Sequence, residues 1–464
     1  MNAPQQLAAL WTGAGLPPDA LDDVRLTGSD PVLPSSFAVG TAAQVTVAAA
    51  ALAAATLWRD RGGKRQTVSV DARHAAIEFL SEHFSSLEGA APEDQWDRIA
   101  GTYPCGDGRW VRLHTNFPHH RDGILQLLQC GYDKPAVATA LQSWTGYDLE
   151  DAAAENKLCA TAMRSFAEWD AHPQGQAVVT QPLVKITRIG DSPAQGLPPA
   201  SRPLSGVRVL DLTRVIAGPV CGRTLAAHGA DVMNIASPNI PNLPRLAVDT
   251  GRGKLSAHLE LRDREGNDRL RELLSQADIF VQGYRPGGLA DLGFSPHDAA
   301  RIRPGIVYVS LSAYGHVGPW SGRRGFDSLT QTASGINHAE AQAAGQTAPK
   351  PLPCQALDHG SGYLLAFGAL TALMRRMHEG GSWHVQVSLA RTGRWIRDLG
   401  PVENGLAVAA PTSDNVADLI AQGSSGWGRL RSVRHSAILA ETPARWDRPS
   451  MPLGAHPAIW PSIP

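Results

Sequence analysis

The chain has 464 residues, 43% of them hydrophobic and 18% charged, with 42 Lys+Arg against 43 Asp+Glu and a net charge of −1. That length favours more than one domain, and the apolar share suffices for a sizeable core. The charge balance argues against a nucleic-acid binder, which carries a basic excess, and against an acidic disordered chain. Cysteines at 105, 130, 159, 221 and 354 form no CxxC pair, which supports neither a zinc ribbon nor a redox dithiol, and no metal site is expected. Scattered thiols fit a reducing cytoplasm. The opening MNAPQQLAALWTGAG lacks the basic start and apolar run of a signal peptide. The most apolar stretch, Ala42–Leu57, is 16 residues of mostly alanine interrupted by Gln44 and Thr46. It reads as a buried helix rather than a bilayer span, so no membrane partner is expected.

In chain order, a turn-rich leader over 16–36 precedes an Ala-rich helix over about 42–60, which stops at Arg61-Gly62-Gly63. Gln66–Val70 reads as a strand and Ala72–Phe84 as a helix. YPCGDGRWVRLHTN reads as a β-hairpin turning at Gly106-Asp107-Gly108, with two or three helices after it. The Pro-rich segment 192–203 is a linker. Strands then alternate with helices: strand Val207–Leu212, turn RVIAGP, helix Val220–His228, strand Val232–Ile235, helix 264–276, and strands Ile279–Gln282 and Ile306–Leu311. This pattern predicts an α/β fold with a Rossmann-like parallel-sheet core. The expected division is a leader and helix-strand unit over 1–90, a small α+β domain over 95–195, the core over 204–400 and a wrapping tail over 401–464.

Segments 37–70 and 356–389 resemble each other: a small-residue turn, a long apolar helix, a glycine pair, then a strand. Such self-similarity points to a partly duplicated unit. Aligning Val68 with Val387 sets Val39 against Asp358, so only the second copy carries an acid.

Three places carry candidate chemistry. The turn Arg214–Pro219 ends the first core strand, where open α/β sheets bind ligands and the next helix offers N–H groups to phosphate. Gly251-Arg252-Gly253-Lys254 and Tyr284-Arg285-Pro286-Gly287-Gly288 put cations in glycine-rich loops, fit to clamp phosphates or merely to face solvent. Asp358, in LDHGSG before an apolar helix beginning near Gly362, reads either as an N-cap or as a carboxylate nucleophile for acyl chemistry.

Taken in order, LSGVRVLDLTRVIAGPVCGRTLAAHGADV, GRGKLSAHLEL, ADIFVQGYRPGGLADLGF, PGIVYVSLSAYGHVGPWSGRRGFDSLTQTASG and LDHGSGYLLAFGALTALMRR resemble the class III CoA-transferases of the CaiB/BaiF type. Residues 37–195 are similar to the later part of that family, so the domain order looks rearranged. The resemblance implies that Asp358 attacks an acyl-CoA thioester, forming an aspartyl–acyl anhydride. It places coenzyme A, a substrate rather than a resident cofactor, at Val215, Ile216, Ala217, Arg252, Lys254, Tyr284, Arg285 and Tyr314. Gly360 and Gly362 would let substrate approach. It also implies a homodimer, possible interlocking of its chains, and acyl-CoA and carboxylic acid as substrates. Ala236-Ser237 and Leu255 depart from the family pattern. The racemase branch has a histidine where this chain has Phe326, which disfavours two-base proton transfer, although His316, His338 or His359 could substitute. The alternatives are therefore an acyl-CoA racemase or isomerase and a non-catalytic CoA-binding partner. The lack of GxGxxG argues against a dehydrogenase.

Overall fold

Near-continuous apolar runs, as in Val209–Leu212 and Ile279–Val281, suit strands buried on both faces. In the computed structural model, which describes residues 2–90, 96–285 and 287–462, they join one seven-stranded sheet. Its strands are β1 (Lys185–Gly190), β2 (Arg208–Leu212), β3 (Asp231–Ala236), β4 (Lys254–His258), β5 (Ile279–Gln282), β6 (Val307–Ser312) and β7 (Ser382–Ser388). The spatial order is β4-β3-β2-β5-β6-β7-β1. All neighbours run parallel except β1, which lies antiparallel to β7 at the edge. Residues 185–190, expected within the small domain, thus complete the core sheet instead. The polar alternation of Lys-Ile-Thr-Arg-Ile-Gly fits this half-exposed edge.

Four helices matter for the site: α1 (Val39–Asp60), α2 (Ala217–Ala227), α3 (Asp327–Ala333) and α4 (Ala356–Glu379). Helix α4 packs against both α1 and α2. Alanines along α1 and glycines in α4 allow the close approach. At 22 residues with mean hydropathy 1.5, α1 is longer than the apolar stretch read from sequence and meets the length and composition of a membrane span. Its apolar window is 94% buried, however, inside this protein core.

The two similar segments share one local geometry, in a register that differs from the sequence alignment. Helix α1 starts after Ala38 (φ −75°, ψ 59°) and α4 after Gln355 (φ −77°, ψ 63°). In α1 the first-turn N–H groups of Gly40 and Thr41 donate to the Asp30 carboxylate at 3.1 and 2.7 Å. In α4 those of Leu357 and Asp358 donate to Asp327 Oδ2 at 2.8 and 3.0 Å. Each unit runs on into a strand whose last residue, Asp71 or Ser388, N-caps the next helix. Val39 therefore matches Ala356, and Val68 matches Val385. The counterpart of Asp358 is Thr41, not Val39. The Val-x-Val pattern recurs at both 68–70 and 385–387, and 387 also ends a valine pair, so a two-residue slip kept the apolar match.

The first copy does not enter the large sheet. Val68–Asp71 pairs in parallel with Val24–Thr27 and antiparallel with Ala437–Leu439 from the tail. The small domain has a three-stranded antiparallel sheet, Gly101–Pro104, Trp110–Leu113 and Ala160–Ala162. Helices Pro118–Leu128, Lys134–Leu141 and Gly146–Glu155 pack with it around a core including Ile99, Val111, Ile124 and Leu149.

Gly362 lies where α4 crosses α2: an added Cβ would sit 2.6 Å from the Ala217 carbonyl oxygen and 2.7 Å from Val220 Cβ. The room expected there for substrate is taken by α2. Alanine would gain about 1 kcal/mol of helix propensity, but the obstacle includes backbone. Gly362→Ala is therefore expected to lose about 1–3 kcal/mol overall, read from urea unfolding.

Candidate active site

A parallel sheet ends in a crevice beyond its strand carboxyl ends. Here a cavity of about 890 Å³ meets Leu212, Ile235, Leu259, Gly283 and Leu311, at or next to the ends of β2 to β6. The turn after β2 contributes Arg214, Val215, Ile216 and Ala217. Val215 has φ 72°, a conformation that costs a β-branched residue about 1–3 kcal/mol and concentrates at ligand sites. Lys254 helps hold this turn from behind: its Nζ donates to Asp211 Oδ2 on β2 at 2.7 Å and to the Pro219 carbonyl at 2.8 Å.

The cavity also gathers Tyr284, Arg285, Phe326 and Asp358 from the core and Phe117, His119 and His120 from the small domain. Of the residues expected from sequence, the structure brings together Val215, Ile216, Ala217, Tyr284, Arg285, Phe326 and Asp358. Pro286 of the same glycine-rich loop lies outside the described residues.

Arg252, Lys254, Tyr314, Gly360 and Gly362 do not line the cavity. Arg252 is buried, bonded to Asp249 Oδ1 at 2.5 Å and the Val433 carbonyl at 2.7 Å, under the Trp446 ring. Buried pairing with carboxylates occupies both it and Lys254. Tyr314 packs against Trp169 and Trp320; its neighbour Ala313 reaches the cavity instead. Gly360 faces Thr392 and Phe79. The cations that do line the cavity are Arg214, Arg262, Arg285, Arg323 and Arg324. The Arg323-Arg324-Gly325 run was a visible signal for two of them, but nothing in sequence marks Arg262 as nearby.

Asp358 is in the first turn of α4 and 7% exposed. It is not the N-cap: that position is Gln355, and the cap hydrogen bonds come from Asp327 across the α3–α4 junction. Gln331, one turn along α3, donates to Asp327 Oδ1 and accepts the Leu352 N–H at 2.9 Å. Burial, then the neighbouring carboxyls Asp327 and Glu82, pushes Asp358 well above the ordinary range. Asp327 itself is pushed up by burial to about 6, even while accepting backbone N–H groups. Burial acts the same way on Glu82, but His359 at 2.9 Å holds it below its usual value. The centre thus has one carboxyl fixed by a histidine, one by a helix end, and one, Asp358, facing the cavity.

Phe326 stacks on His114 at 3.8 Å between ring centres and lies near Phe117 at 5.9 Å. Burial, aided by Arg112 and His120, drives His114 down to about 3, so the ring is neutral. His316 bonds the Val387 carbonyl, and His359 is engaged by Glu82; neither these nor His338 line the cavity. A chamber of about 150 Å³ continues past Asp358 and shares Val215, Ile216, Phe326 and Asp358 with the large cavity.

The family model described as CoA-transferase family III matches residues 204–449. The chain belongs to this family. It is 34% identical over 260 residues to an acetyl-coenzyme A transferase of Hypoxylon pulicicidum, covering 53% of this chain and 44% of that protein. It is 29% identical over 211 residues to a succinate–glutarate CoA-transferase of Agrobacterium fabrum, covering 42% and 52% respectively. The chain therefore spans about half the length of these relatives. Among solved structures, a CaiB/BaiF family protein of Brucella suis is 26% identical with a TM-score of 0.39, over 50% of this chain and 65% of that one. A Mycobacterium tuberculosis protein is 31% identical with a TM-score of 0.40, over 43% and 57%. In the family III chain described here, the matched segment contains Asp358, the β2 turn and the arginines at 262, 285, 323 and 324.

A carboxyl whose folded pKa is raised binds its proton more tightly folded than unfolded. Its contribution to stability is complete below the ordinary Asp range and is lost as pH rises through the folded value. Asp358→Asn removes that loss. The variant is expected to melt at least about 2 °C above wild type near pH 8, with the gap closing toward about pH 4, measured by calorimetry across pH.

Proposed function

We propose that this family III protein transfers CoA from an acyl-CoA to a carboxylic acid through a covalent intermediate on Asp358. The observation that carries this reading is the place of Asp358, where a cleft of about 890 Å³ meets a smaller chamber of about 150 Å³. A long cofactor-like thiol ester suits the cleft, and its acyl end suits the chamber. The cleft arginines, rather than Arg252 and Lys254, would answer the ADP phosphates.

In the first step an Asp358 carboxylate oxygen bonds the thioester carbonyl carbon, the C–S bond breaks, and CoA thiolate leaves with the electron pair. The product is an aspartyl–acyl anhydride. The acceptor carboxylate then attacks the aspartyl carbonyl and expels the first acid. Thiolate attacks the new acyl carbon, giving the new acyl-CoA and restoring the Asp358 carboxylate. A raised pKa supports this chemistry, because a more basic carboxylate is a stronger nucleophile once ionised. The preceding Asp327 carboxylate fixes the backbone on which Asp358 rides.

Racemisation needs two bases about the substrate α-carbon. The hydrocarbon ring of Phe326, stacked on a neutral histidine, supports transfer over that reading. The paired helix-strand units and their matching caps support a partial duplication with rearranged domain order, in which Thr41 marks a copy without a nucleophile. The homodimer and the cytoplasmic setting belong to the same proposal.

The test is intact-protein mass spectrometry with an acyl-CoA panel and hydroxylamine. Wild type should yield a hydroxamate on Asp358, and Asp358→Ala should yield none while losing at least about 10³-fold in turnover. Absence of the adduct in protein that binds CoA contradicts the proposal. Exchange of the substrate α-proton with D2O without acid transfer would instead identify an isomerase.

A further inference from the structure

Between β6 and α3 the chain runs through residues 313–326 without helix or strand. Both ends of this segment stand at the site. Ala313 lines the cleft at one end, and Arg323, Arg324, Gly325 and Phe326 line it at the other. Asp327, which caps α4, follows at once. An irregular loop has no ladder to pair its backbone groups, so their partners come from elsewhere.

The middle of the loop takes them from a single side chain. Gln174, on the helix Pro173–Val179 that leads from the small domain toward β1, is fully buried. Its Nε2 donates to the carbonyls of Tyr314 and Val317 at 2.8 and 2.9 Å, and its Oε1 accepts the Trp320 N–H at 2.7 Å. An amide supplies donors and an acceptor at one point, whereas a carboxylate of the same shape supplies no donor. The fit is tight from the loop side as well: a Cβ added at Gly318 would sit 2.5 Å from Gln174 Oε1.

From Trp320 the hold passes to the arginines. Its carbonyl accepts the Arg323 N–H at 3.0 Å, and its ring centre lies 4.3 Å from the Arg323 guanidinium carbon. Asp151 and the Lys157 carbonyl of the small domain then accept from Arg323 and Arg324 at 2.8 and 3.0 Å. A guanidinium has five N–H donors, so one such bond is compatible with another to a phosphate. Burial, then Arg324 and Arg214, hold the cleft residue His119 below the ordinary histidine value, which sets both cations at one wall.

We propose that Gln174 is a positioning residue for CoA: it fixes the loop over 314–320 so that Arg323 and Arg324 meet the phosphates in the cleft. The proposal rests on the reading that this cleft takes CoA.

Calorimetric titration of the full chain with free coenzyme A reads these arginines with no acyl group at Asp358. Low salt keeps weakened variants measurable, because ion pairs are least screened there. Gln174→Ala should weaken binding at least about 10-fold in the otherwise native chain. In the Arg323→Ala/Arg324→Ala background it should weaken binding no more than about 2-fold, because the groups it positions are gone. Gly318→Ala, which drives a methyl group onto Gln174, should repeat the pattern and decides the matter if Gln174→Ala does not fold. A residue that only stabilises the fold would cost the same factor in both backgrounds. That result, or an affinity unchanged by both variants in a chain that binds CoA, overturns the positioning role and leaves the cleft reading standing. A native chain that binds no CoA overturns both.

Discussion

The site depends on one contact: a buried carboxylate on one helix accepting two backbone N–H groups at the start of another. Asp327, at the start of α3, binds the N–H groups of Leu357 and Asp358 and so fixes where α4 begins. A helix start leaves four such donors unpaired, and here two of them are satisfied from outside the helix. The consequence is electrostatic as well as geometric. The cap puts a second carboxyl beside Asp358, in a place already short of water, so the acid at the cavity is held in its proton-binding range. Asp327 thus bears on both the position of Asp358 and, after burial, on its raised proton affinity.

The same device at α1 shows what part of it belongs to the fold. Asp30 caps Gly40 and Thr41 as Asp327 caps Leu357 and Asp358. At α1 the third helical residue is a threonine and the strand that follows pairs outside the large sheet, so the cap only stabilises a helix end. At α4 the equivalent residue is an acid that opens on a cavity. The difference between a buttress and a candidate active site is one side chain and the strand ends around it. The chain also brings its small domain onto that cavity through Phe117, His119 and His120.

Much of this was legible in sequence because its signal is local. Strand Ile279–Gln282 emerged as read, and the neighbouring strands and helices shifted by one or a few residues. The turn at 214–219 announced itself by its place between strand and helix, and Asp358 by its glycine-rich setting and family resemblance. What failed was non-local. Arg252 and Lys254 looked like phosphate ligands because a cation among glycines is ambiguous until its partners are known. Asp249 and Asp211 claimed them in the interior. Glycines at 360 and 362 spoke of close approach, but of helix to helix and side chain rather than substrate. The register of the repeat slipped by two because valines alternate along both strands, whereas Asp30 and Asp327, lying well before their helices in sequence, carry the true correspondence. Nor did the spacing of Glu82 and His359 announce their pairing.

The central claim is that the Asp358 carboxyl is itself acylated in each turnover, and oxygen tracing tests it most directly. If the acceptor acid carries 18O in its carboxylate, the bridging oxygen of the second anhydride stays with the enzyme when thiolate takes the acyl group. After a single turnover the peptide containing Asp358 should gain about 2 Da, on Asp358 and on no other acid. Full turnover with no 18O at Asp358 would mean that CoA passes between substrates without bonding this residue, and would contradict the account.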